Sequence, residues 1–536
     1  MIKNILSSKI HSITGAAILV GVASLMSRII GMLRDRVFAH YYGAGNVMDS
    51  YYAAFKIPDL VYSLLIIGAL SAGFIPVFIE VMKKNKEESW DVVNGIVNII
   101  GVLLVILSGI AMWQTPAIIQ WLTPGFSGEK LELTVSLTRV MFVSPILLGL
   151  SSIFGSVLQS YKAFAIYSLT PIMYNMGIII GAIFLVPIFG TIGLAYGVVL
   201  GASLHLLIQL PAVITYGYHY RPTFQLKNKS VRTIGRLMIP RMMGAAANQV
   251  NVIAITVIAS TIGAGSLSIF SFADNLQAVP TGIIGISFAI AIFPTLSELY
   301  AEKNITEMRD RISRIARQII WLIIPLTIIV LLLRAQIVRV VLGTGAFDWE
   351  DTVLTAHCLA FFSISLFAQS LTPTLTRAFF ALKNTWIPLC TTLVSAGINI
   401  GVGTYASRHW GVPGLAFGYS ISATAQMALL WMLLRIKLGT LNEGMVVKTL
   451  AKISVAAAGM GLVIQSLKYV IAELVDMQTF WGIFAQGLIS GVIGLIVYGL
   501  ICYLVRVEEM HIFIESFRKK WFRVKTPDPE IGRVDE

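Results

Sequence analysis

Charge is what this chain has least of. Only 12% of its 536 residues are Asp, Glu, Lys or Arg, 56% are hydrophobic, and mean hydropathy is +0.80. A soluble domain of this length needs far more charge to cover its surface. The composition excludes one and describes a polytopic membrane protein. Cysteine is scarce too. Cys358, Cys390 and Cys502 lie far apart in apolar stretches, which excludes a disulfide framework or thiolate metal site and leaves three small buried hydrophobes. There is no G-x-x-x-x-G-K-[ST] loop, so ATP hydrolysis by this chain is not expected. The 7 histidines are scattered, with His11 and His40 as interfacial residues flanking the first apolar run, and no Ser-His-Asp, H-E-x-x-H or metal-ligand spacing occurs. Neither an enzyme, a metal nor a cofactor is expected.

Acid is the scarcer sign of charge, with 27 Asp and Glu against 40 Lys and Arg, a net +13. The excess sits in short loops between apolar runs, which fits cytoplasmic loops of a membrane protein and not nucleic-acid binding. The all-α reading has about fourteen spans of roughly 20 residues each. They centre near Val20, Leu65, Leu104, Leu147, Ile179, Leu200, Ile255, Ile286, Ile328, Phe362, Leu393, Met427, Leu462 and Ile493. Lys3 and Lys9 precede the first run, but no small-residue cleavage site follows it, so it is read as a retained helix. The basic loops, such as Lys83–Lys86, Arg221–Arg236 and Lys303–Arg317, alternate with loops nearly free of Lys and Arg. The basic set and both termini are therefore placed in the cytoplasm. Met510–Lys525 reads as a basic interfacial helix with an acidic end after it.

Landmarks recur at an offset of about 220 residues, the mark of an internal repeat. Gly43-Ala-Gly45 returns as Gly263-Ala-Gly265, Phe74-Ile-Pro76 as Ile292-Phe-Pro294, Lys162 as Lys383, and Gly193-Leu-Ala-Tyr-Gly197 as Gly414-Leu-Ala-Phe-Gly418. Six helices per copy, an even number, insert both copies in the same direction, related by a pseudo-two-fold along the membrane normal with a cavity between them. The expected organisation is an N-terminal lobe over 1–220, a C-terminal lobe over 230–440, two added helices over 445–506, and a cytoplasmic tail over 507–536.

The ionisable residues within these spans are the functional candidates, because charge in hydrocarbon survives mainly in polar cavities or in pairs. Arg28 and Asp35 share a face of the first helix, with Arg34 one step aside; Asp49 opens the second helix and Lys56 follows on it; Arg241 and Asp274 come from the second copy. Arg36 reads as an interfacial cap, Asp59 as a helix-start residue, and Arg139 and Arg377 as residues near span ends. More cations than carboxylates in one cavity suits an anion, and arginine forks match phosphate oxygens.

These residues resemble a known family. Ser27-Arg28-Ile-Ile-Gly, Arg34-Asp35, Gly43-Ala-Gly45 with Asp49, Lys56-Ile-Pro58, Gly68-Ala and Phe74-Ile-Pro76 are similar to the N-terminal signature of the MurJ (MviN) lipid II flippases, in the multidrug/oligosaccharidyl-lipid/polysaccharide (MOP) exporter superfamily. Leu122-Thr-Pro-Gly-Phe126, Phe164-Ala-Ile with Pro171 and Asn175, and Gly345-Ala-Phe-Asp348 with Arg377-Ala-Phe379 resemble further blocks, and the likeness runs over about residues 15–505. The resemblance implies a bacterial inner-membrane protein that moves lipid II, an undecaprenyl-pyrophosphate carrying the cell-wall disaccharide-pentapeptide, outward by alternating access. It implies that the two added helices form a lipid-facing groove. By it, Arg28 and Arg34 engage the pyrophosphate, and Asp35 and Asp49 line or gate the cavity. Three departures stand out: Tyr62, Ser63 and Ile67 replace a paired arginine and a glutamate, Asn275 replaces an arginine, and Asn384 replaces an aspartate tied to cation binding in some members. Arg241 and Lys56 are the residues to compensate. Coupling to membrane potential or a monovalent cation, and contacts with cell-wall synthesis proteins, are further expectations. The alternatives are a flippase for another polyprenyl-linked oligosaccharide, a drug antiporter of the same superfamily, and a non-transporting scaffold for cell-wall synthesis.

Overall fold

The computed structural model describes residues 13–64, 70–512 and 514, with the side chains of 13–18, 70–72, 239–241, 243–245, 247 and 248 outside the description. Every regular element among them is helical. Local sequence explains where helices begin. The Asn85 side chain accepts hydrogen bonds from the Glu87 and Glu88 N–H groups, Asn228 does the same for Ser230 and Val231, and Thr479 accepts from Gly482. Each cap satisfies N–H groups that the first helical turn leaves without partners.

Among the described residues, nine helices are long and apolar enough to cross a membrane, or ten when the bent pair Trp349–Ile364 and Leu366–Ala381 counts as one span. The expected count of about fourteen is not reached by this measure, for physical reasons. The runs near Ile179 and Leu200 form one continuous stretch, Phe164–Thr215. The helix at Val20 carries Arg28, Arg34, Asp35 and Arg36, the one near Ile255 is apolar only over Gln249–Ser260, and the run at Leu65 falls partly on residues outside the description.

The chain divides into two compact units, each built from separate stretches: Met1–Val279, Val338–Phe362 and Pro388–Gln426 form one, and Pro280–Ile337, Ser363–Ile387 and Met427–Glu536 the other. In the first unit, Phe164–Ile180 packs on Gly193–Leu207 through glycines four apart. A side chain on Gly177 would run into the backbone of Gly201, and one on Gly181 into Gly197. In hydrocarbon, where water gives no drive for helix association, such close backbone approach supplies the contact. The second copy repeats the device: a Cβ on Gly418 would lie 2.6 Å from the Gly403 Cα. Pro171, which cannot donate to the Tyr167 carbonyl, is compensated by the Thr170 hydroxyl, which donates to it at 2.8 Å.

In the second unit, Glu443–Leu474 packs along Phe480–Leu504 and on Ile305–Leu332. Leu462, Leu474 and Ile496 on the added helices are exposed, the pattern of a lipid-facing surface. Beyond them, Arg317 Nη1 lies 2.8 Å from Glu508 and 2.7 Å from Glu509. Burial pushes the Glu509 carboxyl above the usual carboxylate range despite that arginine. The basic helix expected over Met510–Lys525 lies almost wholly outside the described residues. Cys358 and Cys502 are buried, whereas Cys390, expected to be buried, is exposed on an apolar helix.

Candidate functional site

The first unit holds a cavity of ≈ 400 Å³, and several ionisable candidates meet in it. Arg34 reaches it from the first helix, Lys56 and Asp59 from Asn46–Tyr62, and Asp274 from Ser266–Thr281. Tyr51, Tyr52, Tyr174 and Tyr419 supply aromatic wall. Arg34 Nε and Nη2 donate to Asp35 Oδ1 at 3.1 and 2.8 Å, and Nη1 donates to Asn175 Oδ1 at 3.1 Å. Three donors are thus used; a guanidinium has about five, so roughly two remain for a ligand. Asn175 is itself oriented by donating to the Pro171 carbonyl at 3.0 Å. The arginine is held as a fork of defined direction.

Asp35 is buried and does not line the cavity; it accepts from Arg34 on one oxygen and from Asn275 Nδ2, at 2.9 Å, on the other. Asn275 therefore serves the carboxylate that orients Arg34. Lys56 and Asp59 make no hydrogen bond or ion pair among the described residues, while Asp274 accepts from Gln277 Nε2 at 2.8 Å. Asp59 and Asp274 both act electrostatically on Lys56.

Several expectations need correction. The cavity does not carry more cations than carboxylates: among the described residues, Arg34 and Lys56 face Asp59 and Asp274. Asp59 is no helix-start residue, since it lies near the end of Asn46–Tyr62 and opens onto the cavity. Lys56 and Asp59 sit three apart on one helical stripe, a signal that was available. Arg28 is on the wall of a different cavity, with Nη1 donating to the Ala278 carbonyl at 3.0 Å. The Arg241 side chain lies outside the described residues.

Asp49 is the clearest correction. It neither lines nor faces the cavity; its side chain is 1% exposed at the centre of a polar knot. Lys130 Nζ approaches Oδ2 at 2.7 Å, the Gly265 N–H donates to the same oxygen at 2.7 Å, and the Ser268 N–H and hydroxyl both donate to Oδ1 at 2.9 Å. The knot joins the two Gly-Ala-Gly turns of the repeat. Gly265 has φ +83°, and a side chain there would run into the Ala44 carbonyl oxygen. The Ala44 N–H in turn donates to Asp351 at 3.0 Å. Lys130, 81 positions from Asp49, has no sequence signal that would pair them.

Other candidate residues make local contacts. Arg36 Nη1 donates to the Val340 carbonyl at 2.6 Å, Tyr62 bonds Ser152 at 2.9 Å, and Arg377 lies over the Phe293 ring. Asn384 accepts from the Ile387 N–H at 3.0 Å, a helix-start contact.

Fold and cavity together define a multi-pass helical membrane protein with a charged cavity in its first unit. The chain is similar in structure to an inward-facing MATE multidrug transporter of the MOP superfamily, with TM-score 0.65, 14% identity, and coverage of 78% of this chain and 96% of that one. It is more similar to a structure of lipid II flippase MurJ in an inward closed conformation, with TM-score 0.75, 24% identity, and coverage of 91% and 99%. In sequence it is 30% identical over 416 residues to a probable lipid II flippase MurJ of Buchnera aphidicola subsp. Acyrthosiphon pisum, covering 77% of this chain and 81% of the relative. It is 28% identical over 428 residues to the probable lipid II flippase MurJ of Vibrio cholerae, covering 78% and 82%. The model of the family described as lipid II flippase MurJ matches residues 38–485. The chain belongs to the lipid II flippase MurJ family.

Proposed function

We propose that this protein carries lipid II from the cytoplasmic to the outer leaflet of the bacterial inner membrane by alternating access. The observation that carries the reading, beyond family membership, is Arg34: a fork fixed by Asp35 and Asn175, with donors to spare, on a cavity inside a membrane unit. Such a fork is suited to pyrophosphate oxygens. Lys56, held in the empty cavity only by the fields of Asp59 and Asp274, is the second cation to turn toward the phosphate. The prenyl tail stays in lipid, along the exposed apolar faces of Glu443–Leu474 and Phe480–Leu504.

The charge balance also bears on coupling. The described lining's two cations and two carboxylates cancel, and Asp35 behind Arg34 leaves the group with one formal negative charge before cargo binds. A bound pyrophosphate makes it more negative, and an inside-negative potential then drives the loaded cavity outward at about 2.3 kcal/mol per charge per 100 mV. Both termini lie in the cytoplasm on this reading, in keeping with the basic loops.

The test is reconstitution of the purified chain in liposomes with lipid II on one leaflet. Transfer should require the protein, speed up under an imposed inward-negative potential, and fall in an Arg34→Gln variant. A protein that retains lipid II yet never transfers it would favour the scaffold reading.

A further inference from the structure

A second cavity in the first unit, of ≈ 570 Å³, takes no part in the account above. Among the described residues its lining holds one cation, Arg28, and no carboxylate. The rest is almost entirely neutral and polar: seven Ser or Thr residues, with Tyr62, Tyr167, His205 and the glutamines Gln159 and Gln209. So many hydroxyls around a space of this size, within an apolar bundle, is not what helix packing alone selects.

The direction of the hydrogen bonds narrows the ligand. Ser156 donates to the Ser152 carbonyl, Ser168 to the Phe164 carbonyl and Thr170 to the Tyr167 carbonyl, at 3.0, 2.6 and 2.8 Å. A hydroxyl whose hydrogen is spent on backbone offers only lone pairs to anything else. Gln209 lies behind this wall, out of a ligand's reach. Its Nε2 is tied to the Ser151 hydroxyl and to the His205 carbonyl, which fixes the amide. Its Oε1 is buried with no partner, behind Gly155: a side chain there would come to 3.2 Å from it and 3.3 Å from the Tyr167 ring. The wall therefore asks for a neutral ligand rich in O–H and N–H donors, with ring faces to lie against Tyr62 and Tyr167.

We infer that this hydroxyl-lined cavity binds the carbohydrate portion of the cargo, while Arg34 holds its pyrophosphate. The inference rests on the flippase reading above. Arg28 and Arg34 are six residues apart on one helix, about 9 Å of rise. The sugar attached to the pyrophosphate thus meets Arg28 at the edge of a donor-seeking pocket. The volume suits a sugar ring and is far larger than the cage of a bare monovalent cation.

The experiment compares three lipids on the full-length purified protein by native mass spectrometry: lipid II; undecaprenyl pyrophosphate, which has the same anion and tail but no sugar; and undecaprenyl phosphate, which lacks one phosphate as well. Two variants are used. Ser156→Ala/Ser168→Ala removes two of the acceptor hydroxyls, and Ser24→Leu/Ser27→Leu fills the pocket from the first helix without touching the Gln209 network. Both variants should retain lipid II about tenfold less well, the worth of one good hydrogen bond, and bare undecaprenyl pyrophosphate as well as the wild type does. Equal loss of both lipids, or loss of neither, overturns the sugar pocket and leaves the flippase reading intact. Failure of the wild type to prefer undecaprenyl pyrophosphate over undecaprenyl phosphate overturns the flippase reading, and the pocket with it.

Discussion

Two groups of charge in the same unit are treated in opposite ways. At the Gly-Ala-Gly turns, Asp49 has every direction filled: one ammonium, two backbone N–H groups and one hydroxyl. In the ≈ 400 Å³ cavity, Lys56 and Asp59 have no bonded partner among the described residues, and Arg34 keeps donors in reserve. Burying a charge is costly unless it is paired and hydrogen-bonded. A saturated carboxylate is a structural device, whereas charges left incompletely paired beside a cavity are waiting for a ligand. The contrast separates Asp49 from Lys56, although both are ionisable residues on one helix, Asn46–Tyr62.

The largest effect should come from breaking the saturated knot. Asp49→Ala leaves the half-buried Lys130 without its counter-charge and the Gly265 and Ser268 N–H groups without an acceptor. Breaking such a pair costs about 3–5 kcal/mol. The detergent-purified variant should lose monodispersity, followed by fluorescence-detected size exclusion, at a clearly lower temperature than the wild type. An unchanged profile would erase the distinction between the two groups.

The cavity should show the reverse: weaker binding with little change in stability. Arg34→Gln removes the fork but keeps an amide near Asp35. Charge-assisted hydrogen bonds are worth about 1.5–3 kcal/mol, so retention of undecaprenyl pyrophosphate should fall roughly 10- to 100-fold. If the thermal profile collapsed as in Asp49→Ala, Arg34 would belong with the structural charges.

Lys56 and Asp59 sharpen the comparison because their effects should have opposite signs. Lys56→Met should weaken pyrophosphate retention about tenfold, for one lost charged contact. Asp59→Asn removes a competing carboxylate and should tighten it by roughly threefold, a surface-pair-sized effect in a hydrated cavity. A loss of affinity in both variants would mean that Asp59 binds a cargo group or a coupling cation.

Much of this was legible before any fold was known, and the illegible part has a common cause. Apolar runs announce spans because hydrocarbon tolerates little else. The 220-residue repeat was visible because close approach and positive φ demand glycine at Gly265, Gly197 and Gly418 whatever surrounds them. Charges on a single helix were also readable, and Arg34, Lys56 and Asp274 do reach the cavity. What sequence conceals is the partner. Asp49 looked like a cavity residue because Lys130 and Ser268 lie 81 and 219 positions away, and Arg28 looked like a neighbour of Arg34 because helical spacing does not reveal which side of a bundle a long side chain enters. The hydroxyl pocket was missed for the same reason: its serines are ordinary one at a time.

The smallest effect tests how far the reserve in the cavity depends on its supports. Asn275 stands where the family usually has an arginine, and here it donates to Asp35 Oδ2 at 2.9 Å. Asn275→Ala leaves that oxygen without a partner but keeps the Arg34–Asp35 pair at 2.8 Å, so Asp35 is held from one side only. A hydrogen bond to a carboxylate is worth about 1.5–3 kcal/mol, but that loss falls on Asp35, and only part of it reaches the donors that Arg34 turns to the cavity. Retention of undecaprenyl pyrophosphate should therefore fall roughly threefold, well short of the Arg34→Gln loss, with the thermal profile nearly unmoved. A loss as large as that of Arg34→Gln would show that Asn275 itself touches the cargo, and the amide, not the arginine it replaces, would then be part of what this family member recognises.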